Sequence, residues 1–361
     1  MKEYYSDIIK KVDSNYRTMK SMRPLPQDSV NYFVNEMGIT VTHSSNALEG
    51  NTFTFDETRL LLEKGITSSA RSFREHQDIV GYKQGFDFIY SALKERKTID
   101  EAFIKTLHSY VLSGSNEAGK YRTIQNYVGS LTKVVYTPCP PSQVPSEMEA
   151  YISDLQNDLE KYADLRGQQN INWEELFHTL AKHHIEFEKI HPFIDGNGRT
   201  ARSLIYWYLL QKGYWLTEYL SISRIIYKNK SQYEKSFLYT EYDNLDLSYF
   251  ILYNLKTMKQ AYEELKVYLD HKTSQQNSII QYRFIPGINE RQAQILKIIS
   301  ENSSSVLTAK ELSSRFAVSM RTARTDLQLL VEKGFLMELP LNKRLIGYIK
   351  SGEFENLILK N

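Results

Sequence analysis

The stretch His191-Pro192-Phe193-Ile194-Asp195-Gly196-Asn197-Gly198-Arg199-Thr200-Ala201-Arg202 decides how the rest of the chain is read. Gly196 and Gly198 let the backbone turn tightly and approach a ligand closely. A helix expected from about Arg199 to Lys212 begins there, so its free N–H groups and the positive end of its dipole point into the turn. A phosphate fits such a nest. Arg199 and Arg202 lie three residues apart, close to one helical turn, so both guanidinium groups can converge on oxygens beyond the first phosphate. Asp195 supplies a hard carboxylate suited to a Mg²⁺ held jointly with phosphates. His191 supplies an imidazole, the side chain most often used to take a proton from an attacking hydroxyl.

Taken singly, these features have plainer explanations. A histidine before proline commonly caps a helix, and Gly-Asn-Gly commonly makes a turn. Their joint spacing carries the functional reading. A zinc-peptidase alternative built on His183, His184, Glu188 and His191 lacks the His-Glu-x-x-His pattern, and Pro192 disturbs the helix that would present His191.

Working outward, the chain has 361 residues, room for two or three domains of ordinary size. The formal charge of +2 gives no global electrostatic case for nucleic acid, although a local patch remains open. A single cysteine, Cys139, excludes an internal disulfide and suggests a reducing compartment, so a cytoplasmic location is expected. The first twenty residues carry charge throughout and lack the apolar core of a signal peptide. The longest apolar run, Leu204 to Leu210, is far short of the roughly 20 residues of a spanning helix, and the mean hydropathy is −0.47. No membrane association is expected.

Apolar residues recur at helical spacing over most of the length, so the fold class is mainly α. Helices are expected at Tyr4 to Met22, ended by Pro24 and Pro26, then up to Leu48, and at Asp56 to Lys64 and Ser72 to Leu93. Between Gly119 and Pro145 the texture changes to loop and short hairpin around Val134-Val135 and Pro138-Cys139-Pro140-Pro141. Helices resume at Ser146 to Tyr162, Trp173 to Lys189 and about Arg199 to Lys212, with a tyrosine-rich helical segment from Ser231 to Asp270. Polar residues from Lys272 to Ser278, followed by Pro286-Gly287, suggest a linker. Beyond it, helices at Glu290 to Ser300, Thr308 to Phe316 and Met320 to Lys333, then strands at Phe335 to Leu339 and Arg344 to Ile349, have the order of a winged helix-turn-helix. The expected domains are 1–100, an N-terminal helical region, 101–270, the core, 271–287, the linker, and 288–361, the winged helix.

His191 to Arg202 resembles in full the motif of the Fic family, His-x-Phe-x-Asp/Glu-Gly-Asn-Gly-Arg-x-x-Arg. His184-x-x-Phe187-Glu188-x-Ile190, Gly119-x-Tyr121-Arg122 and the Val134 to Pro141 hairpin resemble the segments around that core. The resemblance implies a Fic helical bundle with a short β-hairpin flap that holds a target segment. It also implies transfer of AMP from ATP to a hydroxyl of a target protein, the reaction called AMPylation, with pyrophosphate leaving. On this basis His191 is expected to be the general base and Asp195 the Mg²⁺ ligand. Gly196, Asn197 and Gly198 would hold the inner phosphates, Arg199 and Arg202 the outer ones, and Phe193 would point into the core. A family branch that phosphorylates carries lysine in place of Gly198 and lacks the last arginine, which argues against it here.

Ser45-Asn46-Ala47-Leu48-Glu49-Gly50 fits the inhibitory pattern Ser/Thr-x-x-x-Glu-Gly/Asn of one class of Fic proteins. Glu49 is expected to pair with Arg202 and exclude the productive pose of the outer phosphate. The plainer account is an i,i+4 surface pair before a glycine cap. Ser231-Gln232-Tyr233 resembles a segment whose tyrosine lies near adenine, against which Tyr233 is one of 26 tyrosines able to pack a helix face. Expected partners are a target protein bearing a Ser, Thr or Tyr hydroxyl, the chain itself through self-modification, and a second copy in a homodimer. DNA is a candidate through Arg321, Arg324, Lys343 and Arg344. Against DNA stand Asp326, Glu332 and a charge of only +3 over residues 288–361, from 11 Lys and Arg and 8 Asp and Glu. Two other readings remain: removal of AMP from a modified protein, with Glu49 orienting water, and a DNA-binding regulator whose nucleotide site is a sensor.

Overall fold

A computed structural model describes every residue except 1, 22–26, 68–70, 131–132, 162–170, 215–216, 218–220, 284, 302–305, 317, 342–344 and 361. Pro24, Pro26, Lys343 and Arg344 therefore lie outside the described residues. The chain forms two compact units, residues 1–265 and 266–361.

The first unit is helical. Helices α1 (Lys2–Ser21) and α2 (Gln27–Leu48) are followed by α3 (Phe55–Lys64) and α4 (Phe73–Lys94). Reciprocal capping boxes start the latter two, from Thr54 with Glu57 and from Ser72 with Glu75. Next come α5 (Glu101–Val111) and a two-stranded antiparallel hairpin of β1 (Val128–Ser130) and β2 (Lys133–Tyr136). Helices α6 (Val144–Lys161), α7 (Trp173–Ile190) and α8 (Asn197–Gln211) complete the motif-bearing part, and α9 (Ile222–Lys228) and α10 (Lys230–Tyr242) share an apolar cluster with α7. Sequence periodicity missed α5 because its short amphipathic pattern, Phe103-Ile104 with Leu107 and Val111, leads straight into the glycine-containing loop.

Helix α8 is the axis of the unit and packs against α2, α4, α5 and α7. Its Trp207 and Leu209 are fully buried, and each large apolar side chain so buried contributes roughly 1.5–3 kcal/mol. Two clusters fix α2 against this axis. Met37 and Val41 pack with Tyr82, Phe86 and Tyr206. Leu48 packs with Ala181, Ile185, Tyr233 and Phe250. The residues between them, Ser45 and its neighbours, are thereby held over the start of α8.

Two expectations are corrected. The single helical segment from Ser231 to Asp270 is broken between Tyr242 and Ser248, where Asn244 and Leu245 take left-handed backbone angles of φ 51° and 63°. Helix α11 (Ser248–Arg283) then runs through most of the stretch expected as a linker, 271–287, ending only before Pro286 and Gly287. Once a helix is nucleated each further residue adds a backbone bond, so polarity alone does not stop it as proline does.

In the second unit α12 (Glu290–Glu301), α13 (Ala309–Phe316) and α14 (Met320–Glu332) pack with a three-stranded antiparallel sheet. Its order is β3 (Leu307–Thr308), β5 (Ile346–Lys350), β4 (Leu336–Pro340). A last helix, α15 (Phe354–Lys360), was not expected; Phe354 stacks edge-on against Phe335 and fills the base of the core. Ser319 caps α14 by accepting from the Thr322 N–H, and Leu327 on that helix is fully buried. Leu327→Ala should cost this unit about 2–5 kcal/mol, read as a loss of hydrogen-exchange protection across residues 290–358.

Candidate functional site

Helix α7 ends at His191, which takes the left-handed conformation at φ 50°, ψ 58°. For a residue with a Cβ this costs about 1–2 kcal/mol, and Arg122 offsets it. This arginine is 3% exposed. Its guanidinium donates to the carbonyls of His191 at 2.8 Å, Ile190 at 3.3 Å and Cys139 at 2.5 Å, and its backbone N–H donates to the Pro192 carbonyl at 2.9 Å. On the His191 ring, Nδ1 lies 3.2 Å from the Glu188 carbonyl and 3.5 Å from its carboxylate. A proton held there leaves Nε2 as the basic nitrogen. Burial pushes Glu188 up, but the His191 hydrogen bond and charge outweigh it and the carboxyl is held below its ordinary value.

The turn after His191 is fixed by side chains that replace backbone bonds. Asn197 accepts from the Phe193 N–H at 2.9 Å and donates to the Phe193 carbonyl at 2.8 Å. Phe193 is fully buried and stacks on His108 at 3.6 Å between ring centres. The Gly119 N–H donates to His108 Nδ1, which leaves Nε2–H to donate to the Asp195 carbonyl at 2.9 Å. Gly196 has φ 78° and begins α8 with no side-chain cap among the described residues. The first N–H groups of the helix are thus presented toward the turn, the arrangement that binds anions.

Carboxylates surround this positive end. Arg202 donates to Glu49 Oε1 at 2.9 Å, to the Ser45 hydroxyl at 3.0 Å and to the Ser45 carbonyl at 3.1 Å. A Cβ built on Gly198 would stand 2.6 Å from Glu49 Oε1, so that oxygen lies directly over the turn. Burial acts to lower the Arg202 pKa, but the Glu49 charge overrides it and the pKa is raised. Arg199 donates to Asp78 at 2.8 Å and to the Asn46 side chain at 3.2 Å. Asp195 accepts from Arg74 at 2.7 Å, with Arg199 3.8 Å away.

His191, Asp195, Gly196, Asn197, Gly198, Arg199, Arg202, Ser45 and Glu49 are therefore gathered at one place. Tyr233 adjoins it: its hydroxyl interacts with Arg202 and bonds His184 Nε2 at 3.0 Å, and its ring is buried among Phe237, Phe250 and Tyr253. Asp78, Arg74 and His108 were not singled out from the sequence. Their partners are 121, 121 and 87 positions away, and no local pattern encodes such pairs. Arg122 lies within Gly119-x-Tyr121-Arg122, a local pattern that does not encode its bond to the His191 carbonyl 69 positions away. The side chains of 129–135 at the hairpin tip lie outside the described residues; its base is tied down by the Tyr136 hydroxyl, which donates to the Lys189 carbonyl at 3.1 Å.

The sequence model of the Fic/DOC family matches residues 98–209, and that of an HTH domain matches residues 291–349. A "Protein adenylyltransferase fic-1" of Caenorhabditis briggsae is 34% identical over 172 residues, which cover 46% of this chain and 31% of that protein. A "Protein adenylyltransferase Fic" of Nematostella vectensis is 32% identical over 180 residues, covering 48% and 37%. The matched region thus spans about a third of the length of these relatives. Among solved structures, a Fic family protein from Desulfovibrio desulfuricans G20 has a TM-score of 0.61 at 20% identity, covering 96% of this chain and 95% of that one. A Fic domain containing signaling protein from Bacteroides thetaiotaomicron VPI-5482 has a TM-score of 0.58 at 24% identity, covering 71% and 97%. These likenesses show the fold.

Burial pushes both His108 and His184 down to about 4, against an ordinary 6.5. Between those values the unfolded chain binds protons that the folded chain does not, so stability falls as pH drops from about 6.5 toward 4. Urea midpoints measured at pH 7, 5.5 and 4.5 should decline accordingly, with a shallower decline in His108→Gln.

Proposed function

From a chain that carries a Fic/DOC domain at residues 98–209 and an HTH domain at 291–349, we propose a protein adenylyltransferase that moves AMP from ATP onto a Ser, Thr or Tyr hydroxyl. The observation that carries this is the pairing of His191, its Nε2 left as the base, with an uncapped helix N-terminus flanked by two buried arginines. The target hydroxyl oxygen forms a bond to the α-phosphorus while the bond to the pyrophosphate oxygen breaks, and the hydroxyl proton passes to His191 Nε2. Glu188, beside Nδ1, stabilises the imidazolium that results. The turn at Gly196 to Gly198 receives the inner phosphates, and Arg199 and Arg202 the charge of the departing pyrophosphate.

Asp195 fits the Mg²⁺ that accompanies such a nucleotide: its carboxylate is 47% exposed at the mouth of the nest, and a single carboxylate plus phosphate oxygens is a usual donor set for that ion. Bound there, Mg²⁺ would supply neutralisation of phosphate charge. Arg74, now on Asp195, is displaced in that event.

Glu49 acts in this reading as a resident anion that holds Arg202 away from the outer phosphate. With labelled ATP and Mg²⁺, Glu49→Gly should raise self-modification about five- to tenfold, corresponding to ~1–1.4 kcal/mol, and His191→Ala should lower transfer by about 10²–10⁴. Intact mass spectrometry identifies the added group. Unchanged labelling in Glu49→Gly removes the inhibitory role. Release of AMP from modified protein that depends on Glu49 assigns the site to removal instead.

For the second unit the proposed partner is DNA, and one observation favours it. Asp326, which opposed DNA contact in the sequence, is 3% exposed and turned inward, where Arg291, Asn289 and Gln292 hold it. Arg321 and Arg324 remain exposed on α14. Their double replacement by alanine should weaken binding to duplex DNA and reduce the slope of log affinity against log salt by about 2, measured by fluorescence anisotropy across a salt series.

A further inference from the structure

Outside the nucleotide site, α6 and α7 bring together a second set of chemically able side chains. His183 and Glu186 stand three apart on α7, and Asp154 and Asp158 four apart on α6, so each pair shares a face where the two helices pack. Glu188, which faces His191, lies about 140° around α7 from His183, so this cluster looks away from the nest.

His183 is 2% exposed. Its Nε2 lies 2.9 Å from Asp158 Oδ2, while its Nδ1 is buried without a hydrogen-bond partner among the described residues and stands 3.9 Å from Glu186 Oε2. With the proton on Nε2 directed at Asp158, Nδ1 presents a lone pair. Burial, outweighing Asp158, pushes the His183 pKa down, which favours the neutral ring. Donor atoms of His183, Asp154 and Glu186 all lie within 4.8 Å of one another. Tetrahedral ligands at roughly 2.0–2.2 Å from an ion are about 3.5 Å apart, a gap that rotation of Asp154 and Glu186, each 41% exposed, can close. The two carboxylates also line a cavity of about 410 Å³ shared with Tyr136, Cys139, Tyr151 and Lys189, which leaves a coordination position open to water.

We propose that His183 Nδ1, Asp154 and Glu186 form a Zn²⁺ site, with Asp158 as the partner that orients the imidazole. A buried imidazole whose distal nitrogen is held by a carboxylate, and whose free nitrogen faces two further carboxylates, is the arrangement of a metal-binding histidine. Imidazole with carboxylate ligands suits Zn²⁺ over Mg²⁺ or Ca²⁺, which take oxygen donors. Lys182 is the competitor. Its ammonium pairs with Asp154 and lies 3.2 Å from Asp158, so it supplies the positive charge that the ion would replace. Tyr136 ends β2, so the site also adjoins the base of the hairpin.

The test is isothermal titration of the full chain with ZnCl₂ after chelator treatment, with thermal melting in the absence of zinc as the control for folding. One Zn²⁺ should bind saturably, and Glu186→Gln, at a half-exposed position that preserves the fold, should weaken it about tenfold or more. Asp195→Ala should leave the affinity unchanged, which separates this site from the nucleotide site. Lys182→Met should tighten binding by removing the competing charge. Absence of saturable binding, binding indifferent to Glu186→Gln, binding lost in Asp195→Ala, or no gain in Lys182→Met overturns the proposal.

Discussion

Two guanidinium groups, those of Arg199 and Arg202, are buried at the uncapped positive end of α8, and the packing around them has to supply anions. An unpaired buried charge costs several kcal/mol, and the helix dipole adds to the same sign at this spot. Helix α2 with the turn after it contributes Glu49, Ser45 and Asn46, and α4 contributes Asp78, each within hydrogen-bonding distance of one arginine. The apolar contacts of α2 follow from that requirement. Leu48 anchors one side of the Ser45 turn and Met37 and Val41 the other, so hydrophobic packing decides where the carboxylate sits.

What the sequence made legible was whatever is encoded locally. Twelve consecutive residues hold His191, the Asp195 carboxylate, the glycine turn and both arginines, and helical spacing brings the arginines together without tertiary information. The Ser45 to Gly50 pattern was legible for the same reason, although its meaning depended on an arginine 153 positions away. Asp78 illustrates the opposite case: nothing near it distinguishes it from any acidic residue on an amphipathic helix, and only the packing of α4 against α8 brings it to Arg199. His108 was hidden likewise, since its value lies in replacing a backbone partner for Asp195. In the second unit Asp326 was misjudged because sequence spacing places a residue on a helix without saying which way that helix faces. The stretch from Lys272 to Ser278 was misread by composition, since polar residues within a nucleated helix leave its backbone bonds intact.

Arg122 shows how strain at the site is carried. The left-handed turn at His191 aims the successive carbonyls of Ile190, His191 and Pro192 away from the helical ladder and toward Arg122. A single buried guanidinium collects the carbonyls of Ile190, His191 and Cys139. Hydrogen bonds to a charged group are worth about 1.5–3 kcal/mol, enough to offset the conformational cost of one residue. Because the same arginine also ties down Cys139 after the hairpin, the position of His191 and the base of the hairpin share one anchor.

The asymmetry of the Glu49–Arg202 pair bears on how the proposed inhibition would be relieved. The arginine side chain is 4% exposed and the glutamate 41%. Withdrawing Glu49 therefore returns a carboxylate to water at little cost, while Arg202 keeps both of the bonds it donates to Ser45. What is left unsatisfied is one face of one guanidinium, and a phosphate oxygen can satisfy it. The exchange replaces one anion by another at a fixed cation, so its free energy is a difference between two similar terms and not the loss of a buried salt bridge. A pair with one half-exposed member is worth on the order of 1 kcal/mol, which lowers apparent nucleotide affinity in the productive pose by about tenfold or less. An inhibition of that size is relieved by a contact that moves the end of α2 by the length of a hydrogen bond; Lys230, whose ammonium holds the Leu48 carbonyl at 2.6 Å, and Tyr233, packed against Leu48, are links through which α10 resists such a movement.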